Sequence, residues 1–326
     1  MDAILVTGGA GYIGSHICLA LSRQGYLPIA YDNLSVGNRQ NVIAGFFEEG
    51  DIRNQDQLSR VMQKHNVHAV IHCAGAAYVG ESMSNPEKYY DINVHGTLSL
   101  LSAMRSADVT SIIFSSTCAV YGAPETLPIT EETPCQPINV YGRSKLMAES
   151  LLSDFSHAYG FRSLALRYFN AGGCDKGGKL GEWHDPEPHI IPRILMAAER
   201  KIPFISILGD DWPTKDGTCI RDYLHVEDIA GAHVNALTYI QDLKGHEAIN
   251  LGSNKGYSVR ELIDTAEAIT GLQIPVKIEE RRTGDPAQLI ADFGKAEERL
   301  RFSLENSSIE NIISTAWQWR QGLHES

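Results

Sequence analysis

The chain has 326 residues, with 28 lysines and arginines against 40 aspartates and glutamates, and a formal net charge of -12. Its length accommodates one large domain with an elaborated second part, or two compact domains that share a cleft. The negative charge repels nucleic acid and anionic membrane surfaces, so we expect neither as a partner. Because no apolar stretch reaches the roughly 18 residues that span a bilayer and no signal-like segment precedes the first predicted strand, we predict a cytoplasmic protein without a membrane segment.

The cysteines lack the paired short spacings of a disulfide framework or a metal site, and several lie inside apolar runs. We therefore expect them to be reduced. They are Cys18, Cys73, Cys118, Cys135, Cys174 and Cys219.

Short apolar runs alternate with helical patterns through the first half of the chain, at residues 3–7, 27–31, 68–73, 111–115 and 163–167. This alternation predicts parallel βαβ units whose sheet is covered on both faces, which is an α/β fold of the Rossmann-type doubly wound kind. Pro28 lies in the second run, and a proline there is tolerable only at the first residues of a strand.

Two segments have the apolar spacing of amphipathic helices, three or four residues between successive apolar positions. The first stripe comprises Tyr90, Val94, Leu98 and Leu101, and the second Met147, Leu151, Phe155 and Ala158.

After about Asn170, clustered glycines and prolines predict loops and a second region. Residues 248–251 resemble a return to the sheet, and residues 258–270 a helix that opens with a Ser-Val-Arg-Glu capping box. We therefore predict a first domain of residues 1–170, its sheet completed by about residues 222–255. A smaller, discontinuous C-terminal domain comprises residues 171–221 and 256–326.

A glycine-rich segment follows the first predicted strand and opens a helix: Thr7-Gly8-Gly9-Ala10-Gly11-Tyr12-Ile13-Gly14. Glycines at 8, 11 and 14 permit a tight turn, close approach of the backbone to a pyrophosphate, and close packing of helix on strand. The helix N-terminus then offers free N–H groups and partial positive charge to a diphosphate. Because the segment lies in a βαβ unit, we favour a dinucleotide site over an ordinary tight turn.

Asp32 ends the second predicted strand, eighteen residues after Gly14. An acidic side chain there accepts hydrogen bonds from an adenosine ribose and repels a 2′-phosphate, which favours NAD over NADP. The alternative is that Asp32 only caps the turn that contains Asn33.

Tyr141 and Lys145 lie four residues apart at the beginning of a predicted helix. This spacing places the phenol and the ammonium on one face, about one turn apart, so both can act on the same atom. A free tyrosine has a pKa near ~10, so a phenolate base near pH 7 needs its pKa lowered by roughly 3, which Lys145 and an oxidised nicotinamide would provide. Such pairs also occur on solvated helix faces, but the dinucleotide loop upstream favours the catalytic interpretation.

Together these residues resemble the extended short-chain dehydrogenase/reductase family, and within it the UDP-glucose 4-epimerases, nearly from end to end. Beyond the glycine loop and the Tyr141 and Lys145 pair, the matching stretches follow in order along the chain. They are Asp32-Asn33-Leu34, Gly50-Asp51-Ile52, Val79-Gly80-Glu81-Ser82, Phe114-Ser115-Ser116-Thr117, Arg167-Tyr168-Phe169-Asn170, Arg221-Asp222-Tyr223-Leu224-His225-Val226 and Arg282-Thr283-Gly284-Asp285.

The resemblance implies an isomerase that interconverts UDP-galactose and UDP-glucose with bound NAD. In that family the base, here Tyr141, takes the proton of the sugar 4-hydroxyl while hydride passes from the same carbon to NAD. The transient 4-keto sugar rotates and receives the hydride back on its other face, so NAD is regenerated. Thr117 matches a Ser or Thr that hydrogen-bonds the same hydroxyl, which makes Thr117, Tyr141 and Lys145 the implied catalytic residues.

The resemblance also implies the binding residues, with NAD in the first domain and the UDP-sugar in the second. For the cofactor they are Gly8, Gly11, Tyr12, Ile13, Gly14, Asp32, Asn33, Leu34, Ser35, Asp51, Ile52, Cys73, Ala74, Gly75, Ala77, Tyr141, Lys145 and Tyr168. For the substrate they are Thr117, Tyr141, Asn170, His189, Ile190, Ile207, Leu208, Arg221, Arg282, Asp285 and Leu289. Arginine forks suit a diphosphate, and their alternative role is an inter-domain salt bridge.

Two positions depart from the family pattern or vary within it. Ala77 stands where many members have a lysine near the cofactor ribose, and Leu289 takes a position that lines the sugar pocket and varies in size. The preferred sugar, hexose, pentose or N-acetylhexosamine, is therefore left open.

The segment 181–189 contains Glu182, His184, Asp185 and His189, and histidine and aspartate are metal ligands. We nevertheless expect no metal, because no step of the implied reaction needs one and the resemblance places His189 beside the substrate.

Three other functions use the same scaffold. Family dehydratases carry Asp-Glu after the threonine, where this chain has Cys118 and Ala119. A non-catalytic NAD sensor would need none of Thr117, Tyr141 and Lys145, so the presence of all three argues against a sensor. A net dehydrogenase would exchange its cofactor in every cycle.

The resemblance further implies a homodimer, paired through the two helices that carry the apolar stripes.

Overall fold

A computed structural model describes residues 1–282 and 285–322. Within these residues fourteen segments are β-strands. They are β1 Ala3–Thr7, β2 Leu27–Asp32, β3 Phe46–Glu49, β4 Val67–His72, β5 Ser111–Ser115, β6 Arg162–Arg167, β7 Asn170–Gly172, β8 Ile205–Leu208, β9 Ile220–Arg221, β10 Tyr223–His225, β11 His246–Asn250, β12 Tyr257–Ser258, β13 Val276–Glu279 and β14 Gln288–Leu289.

Eleven segments of the same residues are α-helices, and the π-helical turn Tyr90–His95 lies between the fourth and the fifth. The α-helices are α1 Tyr12–Arg23, α2 Gln55–Lys64, α3 Val79–Ser84, α4 Pro86–Tyr89, α5 Gly96–Ser106, α6 Val140–Tyr159, α7 Ile190–Ala198, α8 Val226–Tyr239, α9 Val259–Thr270, α10 Gly294–Leu300 and α11 Ile309–Gly322.

The central sheet is parallel and has the strand order β11-β6-β5-β4-β1-β2-β3. The chain proceeds outwards from β1 in one direction to β3, then returns to β4 and proceeds in the other direction. The switch in direction lies between β1 and β4. Ligands of open α/β sheets bind at the carboxyl ends of the strands that flank such a switch, which is where the glycine-rich loop follows β1.

Successive residues of β1 belong to two cores, one on each face of the sheet. Ile4 and Val6 pack with residues of α1 and α8, and Ala3 and Leu5 pack with residues of α2, α5 and α6. Each fully buried aliphatic side chain of this kind contributes roughly 1.5–3 kcal/mol. The predicted doubly wound α/β fold is confirmed.

The edge strand β3 was not predicted, because its sequence Phe-Phe-Glu-Glu lacks a continuous apolar run and its residues are only partly buried. Pro28 is the second residue of β2, and the pairing of β2 with β3 begins one residue later, at Ile29 with Phe46. The missing N–H of Pro28 therefore costs no hydrogen bond to β3.

The two predicted apolar stripes are not the main buried faces of their helices. In α5, Leu98 is 39% exposed, and in α6, Met147 is 45% exposed. The buried face of α6 instead carries Lys145, Ala148, Glu149, Leu152 and Ser156. The spacing of apolar residues thus identified the helical segments, and part of each stripe is left exposed.

The second half of the chain adds smaller sheets and a third core. β7 pairs with β10, β8 with β13, and β9 lies between β12 and β14. Apolar residues of α7, α9 and α11 share one cluster. The predicted capping box is present, with Ser258 and Glu261 bonded reciprocally at the beginning of α9. The division into two domains at the boundaries given above stays a prediction.

No helix among residues 1–282 and 285–322 is long and apolar enough to cross a membrane. All six cysteines are free thiols.

Candidate active site

The loop after β1 has a shape that only glycine permits at two positions. Gly8 has a φ of +70°, and a Cβ there would lie 2.7 Å from the backbone nitrogen of Ala74. A Cβ on Gly14 would lie 2.1 Å from the carbonyl oxygen of Gly8. Gly11 precedes α1 and, because it has no side chain, leaves the first N–H groups of the helix to a ligand. This cradle fits the diphosphate of a dinucleotide.

The first two side chains of α1, which follow this loop, contact other parts of the protein. The hydroxyl of Tyr12 donates to the carbonyl of Gly173 at 2.5 Å, and Ile13 packs against the core beneath α1. The contact of Tyr12 joins the glycine loop to the second half of the chain.

Asp32 lies at the carboxyl end of β2, beside the glycine loop. Its carboxylate accepts hydrogen bonds from the backbone N–H groups of Ala10 at 3.0 Å and Leu34 at 2.9 Å. Burial raises the pKa of Asp32, and these two hydrogen bonds oppose the rise. The carboxylate thus orders the loop while it remains at the position expected to face a ribose, so the capping alternative and the cofactor role are compatible.

The predicted adenine-side residues adjoin Asp32. The side-chain amide of Asn33 donates to Asp51 at 2.9 Å, and its oxygen accepts from the backbone of Ser35 at 3.1 Å. Hydrogen bonds from Arg53 hold the pKa of Asp51 well below its usual range. Ile52 is buried against Gly96 at the beginning of α5.

The loop that follows β4 faces the glycine loop and contains four predicted cofactor residues. The backbone of Cys73 donates to Thr7 at 3.0 Å, and its thiol lies 3.1 Å from the hydroxyl of Ser115. Ala74 follows, while Gly75 and Ala77 are exposed.

Asn93 fixes this loop, and the sequence interpretation missed it. Its side chain accepts from the N–H of Ala76 at 2.8 Å and donates to the carbonyl of Ala76 at 3.0 Å and to the hydroxyl of Ser144 at 2.9 Å. The available signal was a polar side chain between Ile92 and Val94 inside an apolar helical segment.

Tyr141 and Thr117 share a hydrogen bond through their side chains. Tyr141 lies in the first turn of α6, where Asn139 caps the helix by accepting from the N–H of Gly142 at 2.7 Å. Thr117 follows β5 and caps the short turn Cys118–Tyr121. Burial raises the pKa of Tyr141 to about 12, and the hydrogen bond with Thr117 opposes the rise. The phenol is therefore protonated at neutral pH until further positive charge is brought beside it.

Lys145 is 5% exposed and lies one turn after Tyr141, with its Nζ 4.3 Å from the centre of the Phe114 ring. A Cβ on Gly75 would lie 3.6 Å from this nitrogen. Burial lowers the pKa of Lys145 to about 8, while Cys73 and Glu149 act to raise it. The predicted catalytic residues and the loop of Gly75 thus meet at the carboxyl end of the sheet.

Arg221, Arg282 and Asp285 form the charged part of the predicted substrate site. Arg282 donates to Asp285 through Nε at 3.0 Å and Nη2 at 2.9 Å, and Nη2 of Arg221 lies 4.0 Å from the same carboxylate. Thr283 and Gly284, which complete this predicted stretch, lie outside the described residues. Two guanidinium groups are therefore close together and share one carboxylate.

The other predicted substrate residues are distributed over four elements. Asn170 donates to the carbonyl of Asp222 at 2.8 Å, which places it beside β9, and Leu289 pairs with Arg221 across β9 and β14. Ile207 and Leu208 end β8, and His189 and Ile190 begin α7. Tyr168, predicted for the cofactor, is buried with its ring 6.2 Å from that of His233.

His189 belongs to a cluster with His184, Glu182 and Glu187 in the loop before α7. The four offer ligand atoms that lie within 4.8 Å of one another. Burial acts to lower the pKa of His189, but the carboxylates of Glu182 and Glu187 overcome this effect and raise it to about 10. The edge of the Tyr78 ring packs against both histidines, with ring centres 6.4 and 6.1 Å away.

Comparisons with known proteins identify the family of this chain. Residues 4–252 match the model of the NAD dependent epimerase/dehydratase family. The UDP-glucose 4-epimerase of Rhizobium meliloti is 45% identical over 97% of this chain and 96% of its own. The crystal structure of UDP-glucose 4-epimerase from Brucella ovis in complex with NAD is 50% identical, with 98% of each chain covered and a TM-score of 0.95.

The crystal structure of UDP-glucose 4-epimerase from Bifidobacterium longum in complex with NAD+ and UDP is 38% identical, with 98% of each chain covered and a TM-score of 0.94. The family match covers most of the chain, and both relatives extend over nearly all of it. The chain belongs to the NAD dependent epimerase/dehydratase family.

Proposed function

We propose that this protein is an NAD-dependent UDP-glucose 4-epimerase that interconverts UDP-galactose and UDP-glucose. The observation that carries the proposal is that Tyr141, in the first turn of α6, interacts with the side chain of Thr117 one helical turn before the buried Lys145. This group lies at the carboxyl end of the sheet beside the glycine cradle. The relatives that bear the same name cover nearly the whole chain.

NAD is the cofactor that the glycine cradle and Asp32 support. The free N–H groups at the beginning of α1 would hold its diphosphate, and Asp32 with Asn33 would flank its adenosine ribose. Bound NAD supplies a hydride acceptor that can also return the hydride.

Tyr141 serves as the base for the sugar 4-hydroxyl and returns the proton at the end of the reaction. Thr117 orients this hydroxyl towards the phenol, and Lys145 stabilises the phenolate through its positive charge. Because burial raises the pKa of Tyr141 to about 12, the phenolate forms only when a cation additional to Lys145 is near. An oxidised nicotinamide has that charge, which couples proton removal to the oxidised state of the cofactor.

Arg221 and Arg282 bind the diphosphate of the UDP-sugar, and Asn170 lies beside them. In the protein alone, Asp285 holds both guanidinium groups. A diphosphate offers the same kind of oxygen acceptors in the fork geometry that arginine prefers. Backbone near Ile207 and Leu208 lies where the uracil would be held, and Leu289 lines the sugar.

The test is to incubate the purified protein with UDP-galactose and no added NAD, then separate the sugar nucleotides by chromatography. Conversion to UDP-glucose without stoichiometric NADH supports the proposal and separates it from a net dehydrogenase. If no UDP-sugar is converted even with NAD supplied, the proposal is wrong. UDP-xylose and UDP-N-acetylglucosamine, assayed in parallel, determine which sugar is preferred.

We also propose a homodimer that pairs through α5 and α6. The resemblance to the family supports it, and the exposed Leu98 and Met147 lie on these helices, where a partner would cover them. Sedimentation of Met147→Glu against wild type tests it: a dimer that becomes a monomer supports the pairing, and an unchanged dimer contradicts it. The cytoplasmic location and the two-domain division remain predictions from the sequence.

A further inference from the structure

The His–Glu cluster of residues 182–189 has the composition and spacing of a cation site that the proposed reaction does not use. Glu182, His184, Glu187 and His189 alternate with other residues in a loop that has no helical or strand periodicity. Glu182, Glu187 and His184 are deeply buried, with side chains 5%, 6% and 10% exposed, and His189 is 45% exposed.

The distances from the two histidine nitrogens to the carboxylate oxygens approach those of a tetrahedral site. Nδ1 of His184 lies 3.7 Å from Glu182 and 3.4 Å from Glu187. Nδ1 of His189 lies 3.4 Å from Glu187 and 2.6 Å from Glu182. A tetrahedral zinc with bonds of ~2.0–2.1 Å to nitrogen and oxygen separates its ligand atoms by about 3.4 Å. Three of these four distances are close to that value, and the two to Glu187 involve its two different oxygens.

One carboxylate oxygen of the cluster makes a close contact that is not a well-directed hydrogen bond. Oε1 of Glu182 is fully buried and accepts no well-directed hydrogen bond from any residue among 1–282 and 285–322, although Nδ1 of His189 is 2.6 Å away. Ligands of a common ion point towards a central position instead of towards each other, which accounts for the close but poorly directed contact.

We propose that Glu182, His184, Glu187 and His189 bind a structural zinc ion. Two neutral imidazoles and two carboxylates carry a charge of about −2, which Zn²⁺ neutralises, and the mixed nitrogen and oxygen donors suit this ion. The sequence-based expectation of no metal rested on the reaction and on the placement of His189 beside the substrate. A structural ion takes no part in the reaction, and coordination through Nδ1 leaves Nε2 of His189 available to the substrate. The zinc fastens the loop before α7 and fixes the two rings against which Tyr78 packs.

Coordination through Nδ1 would also determine the protonation state of the His189 ring. With Nδ1 bound to zinc, the ring is neutral and its proton is on Nε2. The exposed part of the ring then presents an N–H donor next to the proposed substrate loop.

The experiment measures zinc by inductively coupled plasma mass spectrometry in protein without a polyhistidine tag, dialysed against metal-free buffer. We expect about one zinc ion per chain in wild type, and loss of most of it in His184→Gln and Glu187→Gln. The matched control is His68→Gln, an exposed histidine of β4, which should keep the wild-type amount. A zinc-free wild type, or a His184→Gln variant that retains the wild-type amount, would overturn the proposal.

Two further measurements on wild type are independent of how the variants fold. Zinc added to chelator-treated protein should raise Tm by about 3 °C or more, since a ligand of the folded state stabilises it. Cobalt in place of zinc should give the strong visible absorption of a tetrahedral ion. An unchanged Tm, or the weak absorption of hydrated cobalt, contradicts the site. Neither readout depends on epimerase activity, so failure of the zinc proposal leaves the proposed function intact.

Discussion

Glu149 and Arg167 form a buried ion pair that joins α6 to β6. The guanidinium donates from Nε to Oε1 of Glu149 at 3.0 Å and from Nη2 to Oε2 at 2.5 Å, and both side chains are at most 8% exposed. Nη1 of Arg167 also donates to the hydroxyl of Tyr121 at 2.8 Å. Because Glu149 follows Lys145 by one helical turn, this pair fixes the helix that carries the proposed catalytic residues.

Removing one partner of this pair should destabilise the protein strongly. Glu149→Ala leaves the Arg167 guanidinium buried without its carboxylate, so we expect the free energy of unfolding in urea to fall by about 3–5 kcal/mol. Glu279→Ala provides the matched control, because its pair with Lys277 is solvent-exposed and should contribute little to stability. Equal losses in the two variants would refute the structural role of the buried pair.

Lys145 should lower stability while it supports catalysis. Burial lowers its pKa to about 8, so between this value and its unfolded pKa of ~10.4 the unfolded chain binds more protons. The destabilisation is therefore complete below about pH 8 and is lost as pH rises towards ~10.4. Lys145→Met should raise the free energy of unfolding at pH 7 by on the order of 1–3 kcal/mol and abolish turnover.

Urea unfolding of the NAD-free protein at pH 7 and at pH 10 checks this expectation, with the gain of Lys145→Met smaller at the higher pH. Lys64→Met is the control, because Lys64 is 64% exposed. A Lys145→Met variant no more stable than wild type at pH 7 would contradict the burial cost.

Local backbone requirements explain why part of this site was predictable. The glycine loop, Asp32 and the spacing of Tyr141 and Lys145 form patterns within single segments, and the sequence shows them directly. Their convergence at one edge of the sheet follows from the parallel βαβ order. The structure confirms that order, whereas the roles of the individual site residues stay predictions.

The features that the sequence did not predict depend on contacts between segments that are distant along the chain. Glu149 and Lys145 are charged and would be assigned to the surface of α6, yet partners on β6 and the site bury them. Asn93 lies in a π-helical turn, where the apolar spacing indicated an ordinary amphipathic helix. Edge strand β3 has little apolar character, because only part of it faces a core.

Tyr141→Phe tests the assignment of the base. Loss of the hydroxyl removes both the proton acceptor and the hydrogen bond with Thr117, so kcat should fall by roughly 10²- to 10⁴-fold while the amount of bound NAD is unchanged. Tyr159→Phe, the same change at an exposed position of α6, should retain wild-type turnover. Near-normal kcat in Tyr141→Phe would exclude Tyr141 as the base.

The most direct measurement of the proposed function follows the hydrogen on carbon 4 of the sugar. UDP-galactose that carries deuterium at this carbon is converted by the protein without added NAD, and the product is analysed by mass spectrometry and NMR. If hydride leaves and returns to the same carbon through bound cofactor, the UDP-glucose retains deuterium at carbon 4. Replacement of that deuterium by solvent hydrogen, or stoichiometric release of deuterated NADH, would contradict the proposed epimerisation.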